Sequence, residues 1–206
     1  MSRAAYFAKL DYLELALWYE RPVKSATWKR WLDECPEGSL GLLAPKAVCA
    51  MRPGKAFDDA LASFAEAFAP QVGAIILATP PAFSPSAHNR EALKRVVGSI
   101  TSDAPKVWRP SGLWDLATAL KTATDAGAIL SWDPFSDLTV PPETYEAVEA
   151  DAMYWRPSGF GRKGPLSPDH LDRLAALSEA QPTTWIVLAT ADAWKDAKRV
   201  RELVQS

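Results

Sequence analysis

Three charged residues follow three tryptophans in a recurring phrase: Trp108-Arg109-Pro110, Trp132-Asp133-Pro134 and Trp155-Arg156-Pro157. The copies stand 24 and 23 residues apart, and two extend to Trp-Arg-Pro-Ser-Gly at 108–112 and 155–159. An aspartate between two arginines has two chemistries open to it. It can pair with both guanidinium groups, because interior charges survive only when paired. Alternatively, one guanidinium stays partly free, and the row offers positive charge and a planar fork to a phosphate or carboxylate. Both readings stand.

Other polar residues extend the inventory. The segment Gly159-Phe160-Gly161-Arg162-Lys163-Gly164 is glycine-rich and basic, suited to a loop over an anion. It departs from Gly-x-x-x-x-Gly-Lys-Ser/Thr, so a phosphate-cradling P-loop is rejected, and Arg162 and Lys163 remain as its candidates. Glu14 and Tyr19 have the groups for general acid–base work, but they differ in strand parity, and a salt bridge or a solvated edge suits Glu14 better. With only His88 and His170, both read as solvent-facing, a His-rich metal site or a Ser-His-Asp triad has little material, and no metal is expected. Cys35 and Cys49 lie outside any Cys-x-x-Cys pattern and read as free thiols in a reducing cytoplasm. The ligand-binding candidates are Arg109, Asp133, Arg156, Tyr19, Arg162 and Lys163; no catalytic residue and no cofactor is assigned.

The elements that hold these residues are strands. Each Trp-x-Pro phrase closes a short apolar run, successive strand residues face opposite ways, and Pro cannot continue the ladder. Each Trp is therefore expected on the outer face and each charge on the inner one. Apolar runs at 12–19, 39–44, 72–79, 106–109, 128–133, 152–156 and 184–190 give seven strands. Helices are expected between them, near 25–35, 55–69, 87–97, 113–126, 143–149, 169–179 and 192–204. Ser25 and Ser167 are expected as N-caps, with Pro168 at the first helical position.

Regular strand–helix alternation implies an α/β fold with a parallel sheet. A doubly wound sheet would satisfy it, but charges at successive strand ends favour a TIM-barrel-like fold, whose sites collect at the C-terminal face. A complete eight-unit barrel takes about 250 residues, so seven units in 206 residues predict a single incomplete or irregular barrel over 1–206.

Composition excludes some functions. A net charge of −2 and a pI near 5.8 give no basic field, so nucleic acid is not an expected partner. No apolar run approaches the roughly 20 residues of a membrane helix, and the N-terminus lacks a long apolar leader, so a cytoplasmic location is expected.

Several stretches, in order from about residue 6 to the C-terminus, resemble the YecE-like family, the domain of unknown function numbered seventy-two. Leu13-Glu14-Leu15-Ala16-Leu17-Trp18-Tyr19 resembles Val-Glu-Ile-Asn-Ser-Thr-Phe-Tyr with one residue deleted. Trp31 with Pro36 and Gly38 is similar to the family's Trp followed by Thr-Pro-x-Gly. Ala44-Pro45-Lys46 resembles Lys-Ala-Pro-Arg, and Pro80-Pro81-Ala82-Phe83 resembles Gln-Leu-Pro-Pro-Ser-Phe. Trp108-Arg109-Pro110-Ser111 is similar to Phe-Arg-His-Pro-Ser-Trp, Asp133 stands where the family has an Asp, and Tyr154-Trp155-Arg156-Pro157-Ser158-Gly159 resembles Tyr-Val-Arg-Leu-His-Gly.

The resemblance implies a TIM-barrel-like fold and no established reaction. It is a truncated and diverged likeness: the family's opening Gly-Thr-Ser-Gly-Trp segment has no counterpart. Leu43, Ala78, Ser158 and Ala189-Thr190 stand where Lys, Gln, His and an Asn pair are expected.

Two functions follow. The first is binding of a small anionic, phosphate- or nucleotide-like ligand at the C-terminal barrel mouth. The second is a non-catalytic scaffold whose open barrel edge is covered by a second copy or another protein.

Overall fold

The computed structural model describes residues 2–136, 142–158 and 166–205. Seven parallel strands alternate with helices, in the strand order of the sequence, β1 to β7. The chain divides into two compact units, Met1–Leu130 and Ser131–Ser206.

The first unit contains α1 (Arg3–Phe7), β1 (Leu13–Leu15), α2 (Ser25–Glu34), β2 (Leu40–Leu43), α3 (Lys46–Cys49) and α4 (Lys55–Ala65). It continues through β3 (Val72–Ala78), α5 (Ala87–Ser99), β4 (Lys106–Arg109) and α6 (Leu116–Asp125) to the first half of β5 (Ile129–Trp132). β2 is wholly buried and the middle of β3 nearly so, as continuous apolar strands between layers should be. Trp18 packs edge-on against Trp28 at 4.6 Å and against Phe64 at 6.1 Å, which fastens the segment after β1 to α2 and α4. Trp108 is fully buried and meets Trp114 edge-on at 4.8 Å, with Phe83 stacked on Trp114 at 6.3 Å. Its indole N–H donates to Thr79 Oγ1 at 3.2 Å.

The second unit holds the remainder of β5, α7 (Pro142–Glu146), β6 (Ala152–Trp155), α8 (Pro168–Glu179), β7 (Thr183–Ile186) and α9 (Ala193–Val204). Ser131 and Trp132 pair with Tyr154 and Trp155, and β6 pairs with β7 over four residues. Its core gathers Phe135, Leu166, Leu171, Leu174 and Val200. Asp196 is fully buried and is matched by two donors, Leu166 N–H at 3.1 Å and Thr190 Oγ1 at 2.9 Å.

Element boundaries differ from expectation at identifiable places. The first strand ends at Leu15 because Tyr19 N–H returns to Ala16 O, forming a turn within the apolar run. Ser25 is the first helical residue, and no side chain caps α2. α6 begins at Leu116, capped by Asp115, whose carboxylate accepts from Thr118 N–H at 2.8 Å; Leu113, expected inside it, is 91% exposed. The β7 ladder stops at Ile186, although Val187 and Ala189 still donate to Trp155 O and Pro157 O. Ser167 and Pro168 take their expected places at the start of α8.

Candidate functional site

In the first unit the strand register sets the faces. Glu14 stands opposite Gly41, Gly41 opposite Ala74, and Ala78 opposite Arg109. The expected alternation holds: Trp108 goes to the buried packing face while Arg109 shares a face with Glu14. Arg109 Nη1 donates to Glu14 Oε1 at 2.9 Å, with the two side chains 20% and 12% exposed. Strands lie about 4.8 Å apart, so β1 and β4 are about 14 Å apart when flat. The positions beside the two residues in the ladder are small, Gly41 opposite Glu14 and Ala78 opposite Arg109. Gly41 leaves its space to Tyr12 and Ile76, since a Cβ there would come within 2.7 Å of Tyr12 Cζ and 3.0 Å of Ile76 Cδ1.

Cys49 lies close by, its Sγ 3.4 Å from Ala44 O. Burial pushes its thiol up to about 11, against the weaker opposing pull of a hydrogen bond from the Ala78 backbone and the charge of Arg109. A thiol held neutral in this way is not a nucleophile at neutral pH.

Beyond β1 and β2, still in the first unit, the chain encloses a cleft of about 450 Å³. Tyr19, Glu20 and Arg21 line it from the segment after β1, Lys46 and Ala47 from the start of α3, and Ser63 from α4. Its wall is fixed by Lys46 N–H donating to Tyr19 O at 2.8 Å and by the Trp18 packing. The Arg21 and Lys46 side chains are exposed and make no hydrogen bond or ion pair with any described residue. One carboxylate, Glu20, shares the lining, which leaves a balance of one positive charge.

In the second unit Asp133 is occupied by its neighbours. Oδ2 accepts from Ser158 N–H at 2.9 Å and from Ser158 Oγ at 2.7 Å, and Oδ1 accepts from Phe135 N–H at 2.9 Å. The carboxylate thus ties the end of β5 to the residues after β6. Arg156 is half-buried in that segment, its N–H donating to Trp132 O at 2.8 Å.

The candidates from sequence therefore distribute unevenly. Tyr19 lines the cleft; Arg109 is paired with Glu14 rather than with Asp133, which settles the choice between a salt bridge and a solvated edge for that glutamate; Asp133 is held by Ser158 and Phe135. Arg162 and Lys163 lie outside the described residues. His88 is exposed as expected. His170 is half-buried instead, its ring 4.6 Å from that of Phe135 and its Nδ1 2.7 Å from Ser167 Oγ. Among the described residues no group of three or more His, Cys, Asp or Glu could hold a metal ion, and no helix is long and apolar enough to cross a membrane. Arg21 and Lys46 escaped sequence reasoning, although Lys46 had a signal, since it occupies the basic position of the Ala-Pro-Lys motif.

No family model and no curated protein matches the sequence. Among solved structures the chain is similar to a DUF72 family protein from Thermotoga maritima, with a TM-score of 0.70. The alignment covers 98% of this chain and 88% of that one. The fold is that of a DUF72 family protein. At 17% identity the likeness concerns the fold, and that fold is the one the YecE-like motifs imply.

Proposed function

We propose that the protein binds a small molecule with an anionic group and a compact apolar body, in the cleft beyond β1 and β2. One observation supports this most: Arg21 and Lys46 share a 450 Å³ cleft and neither makes a hydrogen bond or ion pair with a described residue. The volume falls in the ordinary range of small-molecule sites, where apolar walls hold the body and a few polar groups orient it. Tyr19 supplies a ring and a hydroxyl, and the two cations supply charge-assisted donors for a phosphate or carboxylate. The position, after the carboxyl ends of two parallel strands, is where such folds place ligands. Arg109, already paired with Glu14, serves this reading as a support of the strand ends.

Calorimetric titration with inorganic phosphate and with a nucleoside monophosphate tests the proposal. Saturable binding is expected, weakened about tenfold by Arg21→Ala and again by Lys46→Ala, the usual loss for a hydrogen bond to a charged group. Absence of heat and of thermal stabilisation with both ligands at millimolar concentration overturns it.

A second reading, a protein-binding module, has its own observation. β7 stands at one end of the strand order, and none of its four residues is fully buried, whereas every residue of β2 is. Light scattering that gives a single 22.5 kDa chain throughout the micromolar range excludes stable self-association as the explanation.

A further inference from the structure

In the second unit Arg173 of α8 sits against two aromatic rings. Its guanidinium carbon is 4.9 Å from the centroid of Tyr145 and 5.5 Å from that of Phe135. Cation–π contact with both rings accounts for the faces of the group. It does not account for its edge. Nε and Nη2 are buried, and neither finds a hydrogen-bond acceptor among the described residues. These two nitrogens form one side of the guanidinium, the pair of parallel N–H bonds that grips two oxygens of a carboxylate or phosphate at once. Trp155, whose ring meets that of Tyr145 at 6.0 Å, adds a third buried N–H without an acceptor among the described residues. Buried donors are satisfied in the great majority of cases, and a buried charged donor left unmatched is among the costlier defects a fold can carry. Here one side chain leaves two such bonds open, both on the same edge.

We propose that this edge of Arg173 is a receptor for a small oxyanion, gripped through Nε and Nη2 with the rings of Phe135 and Tyr145 holding the guanidinium plane. The chemistry required is two coplanar oxygens bearing negative charge, as in inorganic phosphate, sulfate or a short carboxylate. The site is separate in composition from the Arg21–Lys46 cleft: no residue is shared. A halide satisfies the charge but not the two-point geometry, so oxyanions are preferred over chloride.

The test is a thermal-shift titration of the full chain with sodium phosphate against sodium chloride of equal ionic strength, using the Arg21→Ala/Lys46→Ala variant so that the cleft makes no contribution. Phosphate is expected to raise Tm by about 3 °C or more at saturation, while chloride does not. Arg173→Lys keeps a cation over the rings and removes the fork; it is expected to fold and to lose the phosphate-specific rise. Equal shifts with phosphate and chloride in the cleft variant overturn the proposal, as does an undiminished phosphate shift in Arg173→Lys. If Arg173→Lys does not fold, the comparison of phosphate with chloride in the cleft variant decides alone.

Discussion

Arg109 on β4 reaches Glu14 on β1, 95 residues earlier, and the two meet at 2.9 Å. Removing one partner of a mostly buried pair strands the other charge. Glu14→Ala is expected to destabilise by about 2 kcal/mol, below the cost of breaking a fully buried pair because both groups retain some exposure. A double-mutant cycle with Arg109→Met, followed by urea denaturation, is expected to return a coupling of about 1 kcal/mol. Additive single losses contradict a direct interaction.

The Asp133 carboxylate accepts three hydrogen bonds from described residues, and the donors do not depend on it equally. Ser158→Ala removes the hydroxyl and leaves the backbone contact, with an expected loss of about 1 kcal/mol. Asp133→Ala deprives Phe135 N–H, Ser158 N–H and Ser158 Oγ together and is expected to lose about 2–3 kcal/mol. Calorimetric Tm values for both variants check the ranking.

Asp115 caps α6, and the Thr118 backbone N–H it accepts from holds its carboxyl below the ordinary 3.8. A depressed carboxyl contributes stability above its unfolded value and loses it as pH falls through the folded one. Asp115→Ala is expected to cost about 1 kcal/mol at neutral pH. The gap from the parent closes as pH drops below 3.8. Thermal melts at neutral and strongly acidic pH show whether the gap narrows; a constant gap removes the cap from the explanation.

Cys49 behaves in the opposite sense. Its thiol, raised from 9.0 to about 11, binds its proton more tightly when folded. Its contribution is complete below 9 and is lost as pH rises towards 11. At pH 8 the native chain should leave Cys49 unreacted with a disulfide reagent for as long as it stays folded, with labelling after denaturant is added. Prompt native labelling, mapped to Cys49 by peptide mass, counts against the buried thiol.

The order of strands was readable because six of the seven apolar runs are closed by proline, among them Pro80 after β3, Pro110 after β4 and Pro157 after β6. The inner and outer faces were readable as well, since Trp108 and Arg109 follow strict alternation. The first strand was overextended for a physical reason: Trp18 is apolar because it packs on Trp28 and Phe64, not because it lies in a ladder. α1 and α3 are four or five residues long, too short to display helical periodicity. The cleft was the least legible part. Arg21 and Lys46 are 25 residues apart in the sequence and become neighbours through a turn after β1 and a short helix after β2. Neither leaves a mark in local spacing. The Asp133–Ser158 clamp was hidden similarly, because it joins the ends of adjacent strands.

The near-perpendicular contact between Trp108 and Trp114, 85° at 4.8 Å, has an optical consequence. Transition dipoles of two indoles at that range mix, and their mutual orientation is what gives the mixed states opposite rotational strength. Two such pairs in the first unit, Trp108 with Trp114 and Trp18 with Trp28, are therefore expected to contribute exciton signals to its circular dichroism. Trp114→Phe removes the share of this first pair while keeping an aromatic ring in place and leaves that of Trp18 with Trp28, so the difference spectrum isolates it. A solution experiment can thus watch the residue beside β4 dock and undock without attaching any dye.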